Sequence, residues 1–314
     1  MEPHTEIETT RRAALAVAER FWGWEIPIYL FLGGLVAGLM LTVSAAVILR
    51  GRDRVTGAMK LGLAAAPVLL SLGMGALFLD LTSKLHVFRF YTTLRASAPM
   101  SLGSWVLLLV YPVQLALVLA LPFEPLVPWI EKLPSGAKLR ALAAEHATKL
   151  AWAGVGLGVA LGIYTGVLLS ATVARPLWSS GALGFLFLAS GSSTGVAALM
   201  VVEKDHDALA WLGRADLGLI AFELAVMLLW LVGLSTQGPV YREAAALLLS
   251  GPWAPAFLGM VVFGGLLVPA ALEGLALRGR ALHSRLVPGL VLVGGLLLRF
   301  VIVYAGQEVG FVAG

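Results

Sequence analysis

The sequence predicts an all-α integral membrane protein with eight transmembrane helices, arranged as two four-helix bundles. Three observations carry the eight-helix membrane reading, and a repeated small-residue pattern hints at the two bundles. The 314-residue chain is 59% hydrophobic and only 13% charged, whereas a soluble domain carries about a quarter charged residues. Its mean hydropathy is +0.91, and eight runs reach the roughly 20 mostly apolar residues that a spanning helix needs. The connections between these runs alternate in charge, as the preference of cations for the cytoplasmic side requires.

The sequence reads as a single membrane domain over 1–314, with residues 1–23 as an extracytoplasmic N-terminal segment. Spans are expected near 24–49, 58–80, 100–121, 149–173, 182–202, 215–236, 254–276 and 286–309. The first begins at Trp24 and Glu25, an aromatic and a carboxylate of the kind that settles at a membrane interface, and carries Gly34 and Gly38. The second ends in Asp80. A long, cationic and aromatic loop then leads to the third, and the connection after it should hold a short interfacial helix over 137–147. In the fourth span Gly154, Gly158, Gly162 and Gly166 recur every four residues. On a helix they form one smooth ridge that lets a neighbouring helix approach closely. Tyr164 interrupts that ridge with a phenol, and Arg175, Pro176 and Trp178 close the segment in interfacial style. The fifth span repeats the small-residue pattern of the first at Gly191 and Gly195, a hint that spans 1–4 and 5–8 are related bundles.

Thirteen of the 22 Lys and Arg lie in the 1–2, 3–4, 5–6 and 7–8 connections. This bias places both termini outside the cytoplasm and the protein in the inner (cytoplasmic) membrane. Trp24, Trp178 and Trp253 are then expected at the outer interface. The net charge of +4 reflects this topology rather than a nucleic-acid surface, because the basic residues fall in short loops between apolar runs. The N-terminus lacks an apolar run followed by a small-residue cleavage site, so no signal peptide is expected.

With no cysteine, the protein offers no thiolate ligands for an iron–sulfur cluster or other metal site. All five histidines fall in loops or at their edges, so none can serve as an axial haem ligand within the bilayer. Any electrons it handles must pass to or from another subunit.

Ionisable groups at membrane depth are costly and need a reason. One group lies near the outer face: Glu25, Asp80, Tyr164, Gln307 and Glu308. For Glu25, Asp80 and Glu308 interfacial decoration is the plain explanation, and for Tyr164 it is a belt or packing tyrosine. A second group lies near the midplane: Glu223, Arg299 and the polar run Ser190–Thr194. A structural ion pair between Glu223 and Arg299 is the plain reading there. The sharper one is a proton path, because Asp216 precedes Glu223 by seven residues on the same helix face and Glu273 ends span 7 on the cytoplasmic side.

Several stretches together resemble the NrfD/PsrC family, the membrane-anchor subunits of polysulfide-reductase-type and related quinone-linked oxidoreductase complexes. They are WGWEIPIYLFLGGLVAG (22–38), LDL (79–81), SAPMSLGSW (97–105), IYTGVLLSATVARPLW (163–178) and LASGSSTG (188–195), in order along the sequence. The resemblance implies a menaquinone or other quinone held near the extracytoplasmic face, in a cleft among helices 1, 2 and 4. It also implies an iron–sulfur partner subunit on that side, serving a catalytic subunit that is often a molybdopterin enzyme. By position, Tyr164 would hydrogen-bond a quinone carbonyl, while Asp80 and Glu25 would exchange the quinol protons. Some members place a histidine in helix 1 near the quinone; this sequence has none there, so Lys84, Arg89 or a backbone group would serve the second carbonyl, with Trp24 beside them. A family proton path would map onto Asp216, Glu223, Glu273 and Arg299. The alternatives are a secondary transporter, which glycine-rich helices and buried charge also suit, and a purely structural anchor without quinone.

Overall fold

A computed structural model describes residues 22–81, 99–171, 175–279 and 285–310. Within them, eight helices are long and apolar enough to cross a membrane: α1 Glu25–Arg50, α2 Gly57–Asp80, α3 Pro99–Ala120, α4 Ala147–Ser170, α5 Ala182–Val202, α6 His206–Gln237, α7 Pro255–Leu277 and α8 Leu286–Gly306. Helices are expected here because hydrocarbon offers no partner for backbone polar groups, and a helix satisfies them internally. Caps mark two of the starts. Thr56 Oγ1 accepts the Met59 amide at the head of α2, and Asp205 Oδ1 accepts the Ala208 amide at 2.8 Å at the head of α6.

Three features depart from the expected spans. Helix α6 begins at His206 rather than near 215 and runs for 32 residues. At 1.5 Å per residue that is about 48 Å, well beyond the hydrocarbon thickness. Its polar first turns project past the lipid core, where the Asp205 cap and a salt bridge from Asp207 to Arg50 hold them. A hydropathy window registers only the lipid-immersed part. Second, an unexpected helix, Pro239–Leu249, joins α6 to α7. Third, Pro255–Leu267 of α7 winds as a π-helix before Val268–Leu277 continues as an ordinary one. Pro269 lacks the amide that an α-helix would need at that point, and a wider preceding turn removes the requirement. In the 3–4 connection, short helices form at Val127–Glu131 and Gly136–Glu145.

Helices α1–α4 and α5–α8 form two groups that meet along α1 and α5. Helix α1 is the central rod: 72% of its apolar window is inside, against 28% for α2 and α7. Glycines set the seam. A Cβ on Gly38 would strike the Gly191 carbonyl oxygen, and one on Gly191 would lie 2.8 Å from the Gly34 carbonyl oxygen. The two small-residue pairs that hinted at a repeat therefore pack directly against each other, backbone to backbone.

The glycine ridge of α4 is likewise covered rather than left as a groove. Gly154 meets Ser44, and Gly158 meets Leu41 of α1; Gly162 meets Leu188, and Gly166 meets the backbone of Leu183 and Gly184 of α5. Helix α4 thus straps the two bundles together. Trp178, expected at the level of the outer interface, is fully buried within the protein. Its indole donates to the Ile302 carbonyl at 2.8 Å and stacks on Trp22 at 5.0 Å, locking the turn after α4 onto the end of α8.

Candidate functional site

Two polar assemblies stand out. The first lies at the rim where α1 begins and α2 ends. Glu25 is the first residue of α1, and Asp80 is the last of α2. Both are part-exposed and lie within electrostatic reach of each other. Tyr164 sits six residues before the end of α4, about 9 Å below that rim. It is buried in the apolar cluster that includes Ile26, Tyr29 and Leu30 of α1, with Met74 and Leu77 of α2 packed against it. Its ring lies flush on α3, since a Cβ on Gly103 would overlap the phenol. Trp24 is 52% exposed at the N-cap of α1, which makes it a surface group rather than part of a closed lining. Lys84 and Arg89 lie outside the described residues.

The rim is braced from α8. Gln307 accepts the Trp22 amide at 3.0 Å and donates to the Trp22 carbonyl at 3.2 Å, while Arg175 donates to the Gln307 carbonyl. Trp253 donates to Glu308 at 2.9 Å. Leaving water holds the Arg175 guanidinium below the usual arginine pKa.

The second assembly runs through the α5–α8 bundle. Ser193 donates to Asp216 Oδ1 at 2.6 Å. The Asp216 and Glu273 carboxyls face each other and hydrogen-bond when one of them carries a proton; apart from that contact, Asp216 Oδ2 and both Glu273 oxygens have no hydrogen-bond partner among the described residues. About 10 Å further along α6, Glu223 lies against Ser190. Ser190 in turn accepts from Arg299, which also donates to the Gly295 carbonyl at 2.9 Å and the Phe187 carbonyl at 3.3 Å. The guanidinium stands 5.0 Å from the Phe187 ring centre and touches Gly34 of α1. All four ionisable residues are buried. The expected Glu223–Arg299 ion pair is replaced by a bridge: no salt bridge joins them among the described residues, and Ser190 stands between. A cavity of 350 Å³, lined by Glu203, Arg214 and Arg285, opens at the far rim and reaches Glu273.

Some of these roles escaped sequence reading. Gly103 sits inside the SLGSW motif, but nothing local says that an aromatic ring will rest on it. Ser190 and Ser193 lie three residues apart, and that spacing puts both on one helix face; their partners on α6 and α8 could not be read from it.

An all-helical bundle whose interior carries a succession of carboxylates, hydroxyls and one arginine, with two carboxyls at one rim and a buried tyrosine below them, is a multi-pass membrane protein built around internal polar groups. The protein belongs to the NrfD family: the family model described as "Polysulphide reductase, NrfD" matches residues 16–311. It is 32% identical over 302 residues to the polysulfide reductase C-chain of Wolinella succinogenes, with 91% of this sequence and 94% of that one covered. Identity to protein NrfD of Escherichia coli is 32% over 320 residues, covering 95% and 98% of the two sequences. The NrfD homolog of Haemophilus influenzae is 27% identical over 307 residues, covering 91% and 94%. Among the described residues no cluster of three or more His, Asp or Glu is placed to hold a metal.

Proposed function

We propose that this protein is the quinone-reactive membrane subunit of a respiratory oxidoreductase complex, exchanging electrons with an iron–sulfur subunit that serves a catalytic subunit on the extracytoplasmic side. The observation that carries this reading is the pair Glu25 and Asp80 at one rim with Tyr164 about 9 Å below it, on α1, α2 and α4, the last two both packed on α1. The donor set fits menaquinone or a related carrier. A phenol held in apolar surroundings suits a carbonyl oxygen, two carboxyls at the water boundary suit two protons, and Met74 and Leu77 supply an apolar flank. When bound, such a carrier supplies two-electron, two-proton redox chemistry.

The protein's own residues would do the rest. Tyr164 fixes the head group by donating from its hydroxyl, and Gly103 keeps the ring in place by leaving room for it. Asp80 and Glu25, within reach of water, accept protons or return them according to the direction of electron flow. Coupled proton movement is a second element of the proposal. It is favoured by the cavity that leads to Glu273 and by the succession Glu273, Asp216, Ser193 and then Glu223, Ser190, Arg299.

The test is Tyr164→Phe in the purified complex. Loss of one hydrogen bond of about 0.5–1.5 kcal/mol should weaken quinone affinity about 2- to 12-fold, with subunit composition unchanged. Gly103→Ala, which pushes the same ring aside, should reproduce the defect. Unchanged quinone turnover in both variants removes Tyr164 from the site. Purification as a lone oligomer that takes up substrate would favour a transporter instead.

A further inference from the structure

The rim opposite Glu25 and Asp80 carries a second polar feature, separate from the quinone site. Between the end of α1 and the start of α6 lies an open pocket of 440 Å³, lined by Arg50, Arg54, Asp207, Trp211 and Arg214. Three guanidinium groups face one carboxylate there, a surplus of two positive charges. Asp207 is shared: it pairs with Arg50 and, at 3.6 Å, with Arg54. Arg50 is held firmly, its guanidinium 5.4 Å from the Trp211 ring centre and its side chain only 15% exposed. Its Nη1 is buried without a hydrogen-bond partner among the described residues. An excess of fixed guanidinium charge over carboxylate attracts an anion, and charge-assisted hydrogen bonds to a guanidinium are among the strong ones.

Position narrows the anion. Arg50 is the last residue of a spanning helix, and Trp211 lies in the polar first turns of α6, an amphipathic aromatic of the kind that collects at headgroups. Leu49, beside Arg50 in the sequence, is 73% exposed, an uncovered apolar side chain that suits an acyl chain. We infer that this pocket binds the phosphate of an anionic phospholipid headgroup, with Arg50 fixed on Trp211 as the anchor and Arg54 and Arg214 closing from the water side. The planar fork of arginine suits two phosphate oxygens at once.

The experiment is native mass spectrometry of the purified complex, titrated separately with phosphatidylglycerol, phosphatidylcholine and inorganic phosphate. Phosphatidylglycerol should bind more tightly than phosphatidylcholine and should survive millimolar inorganic phosphate. Each arginine near an anionic surface is worth about a factor of five. Arg54→Gln should therefore weaken one phosphatidylglycerol site about 5-fold, and Arg54→Gln with Arg214→Gln about 25-fold. The lysine versions, which keep the charge and lose the fork, should recover only part of the binding, with thermal midpoints confirming that every variant is folded. Equal affinity for the two lipids, full displacement by inorganic phosphate, or a double glutamine variant that binds like the parent would each overturn the assignment.

Discussion

Replacing Arg299 by methionine tests the buried polar succession most directly. Arg299 is fully buried, donates to Ser190, Gly295 and Phe187, and is electrostatically coupled to Glu223 through the Ser190 bridge. Two effects compete when it goes. Burying a guanidinium costs several kcal/mol, so its removal relieves a penalty. It also strands Glu223, fully enclosed, without a positive neighbour, and stripping one member from a buried pair costs about 3–5 kcal/mol. The second effect should win, because the linear methionine refills the stem volume but supplies no donor. We expect Arg299→Met to destabilise the protein by about 3 kcal/mol and Glu223→Gln alone to do comparable harm. The double variant should return to within about 1 kcal/mol of the parent, because neither partner is then left charged and alone. Denaturant titration in detergent micelles, followed by helicity, measures all four corners of the cycle. If the two losses simply add, with a coupling below about 0.5 kcal/mol, Glu223 and Arg299 are independent and the bridge has no energetic meaning.

Other predictions follow from the same geometry. Gly38→Ala places a Cβ against the Gly191 carbonyl, where backbone cannot yield, and should cost about 3 kcal/mol or prevent assembly of the two bundles. Gly156→Ala on α4, with open space around it, should be tolerated; size-exclusion profiles and thermal midpoints compare the two. Glu273→Gln keeps the shape of the inner end of the cavity but removes a proton carrier. It should lower proton uptake by proteoliposomes containing the complex while quinone affinity stays unchanged, and normal uptake would remove Glu273 from the path.

The Tyr164 site illustrates how far residues alone reach. The sequence singled out Tyr164, Glu25 and Asp80 from polarity and depth; in the structure Glu25 and Asp80 stand at one rim, and Tyr164 is buried in apolar packing about 9 Å below it. The sequence could not say that Gly103 supports the ring, nor that Trp24 is a surface group. The same division runs through the second assembly. Asp216, Glu223, Glu273 and Arg299 were conspicuous because charge is rare at membrane depth. The serines that link them were visible only as a polar run.

By itself, the sequence determined the eight spans, their alternation in charge and the identity of the residues that hydrocarbon would not tolerate without a reason. These are local properties: hydropathy and helical spacing act over about 20 residues, and a lipid solvent leaves the backbone few options. Tertiary structure alone decided that Gly34 and Gly38 face Gly191 and Gly195, that Trp178 is buried and locks the turn after α4, and that Ser190 separates Glu223 from Arg299. Ser190 and Arg299 are 109 positions apart in the sequence. Nothing in either neighbourhood fixes which faces meet; only the close packing of whole helices, glycine against glycine, brings them into contact.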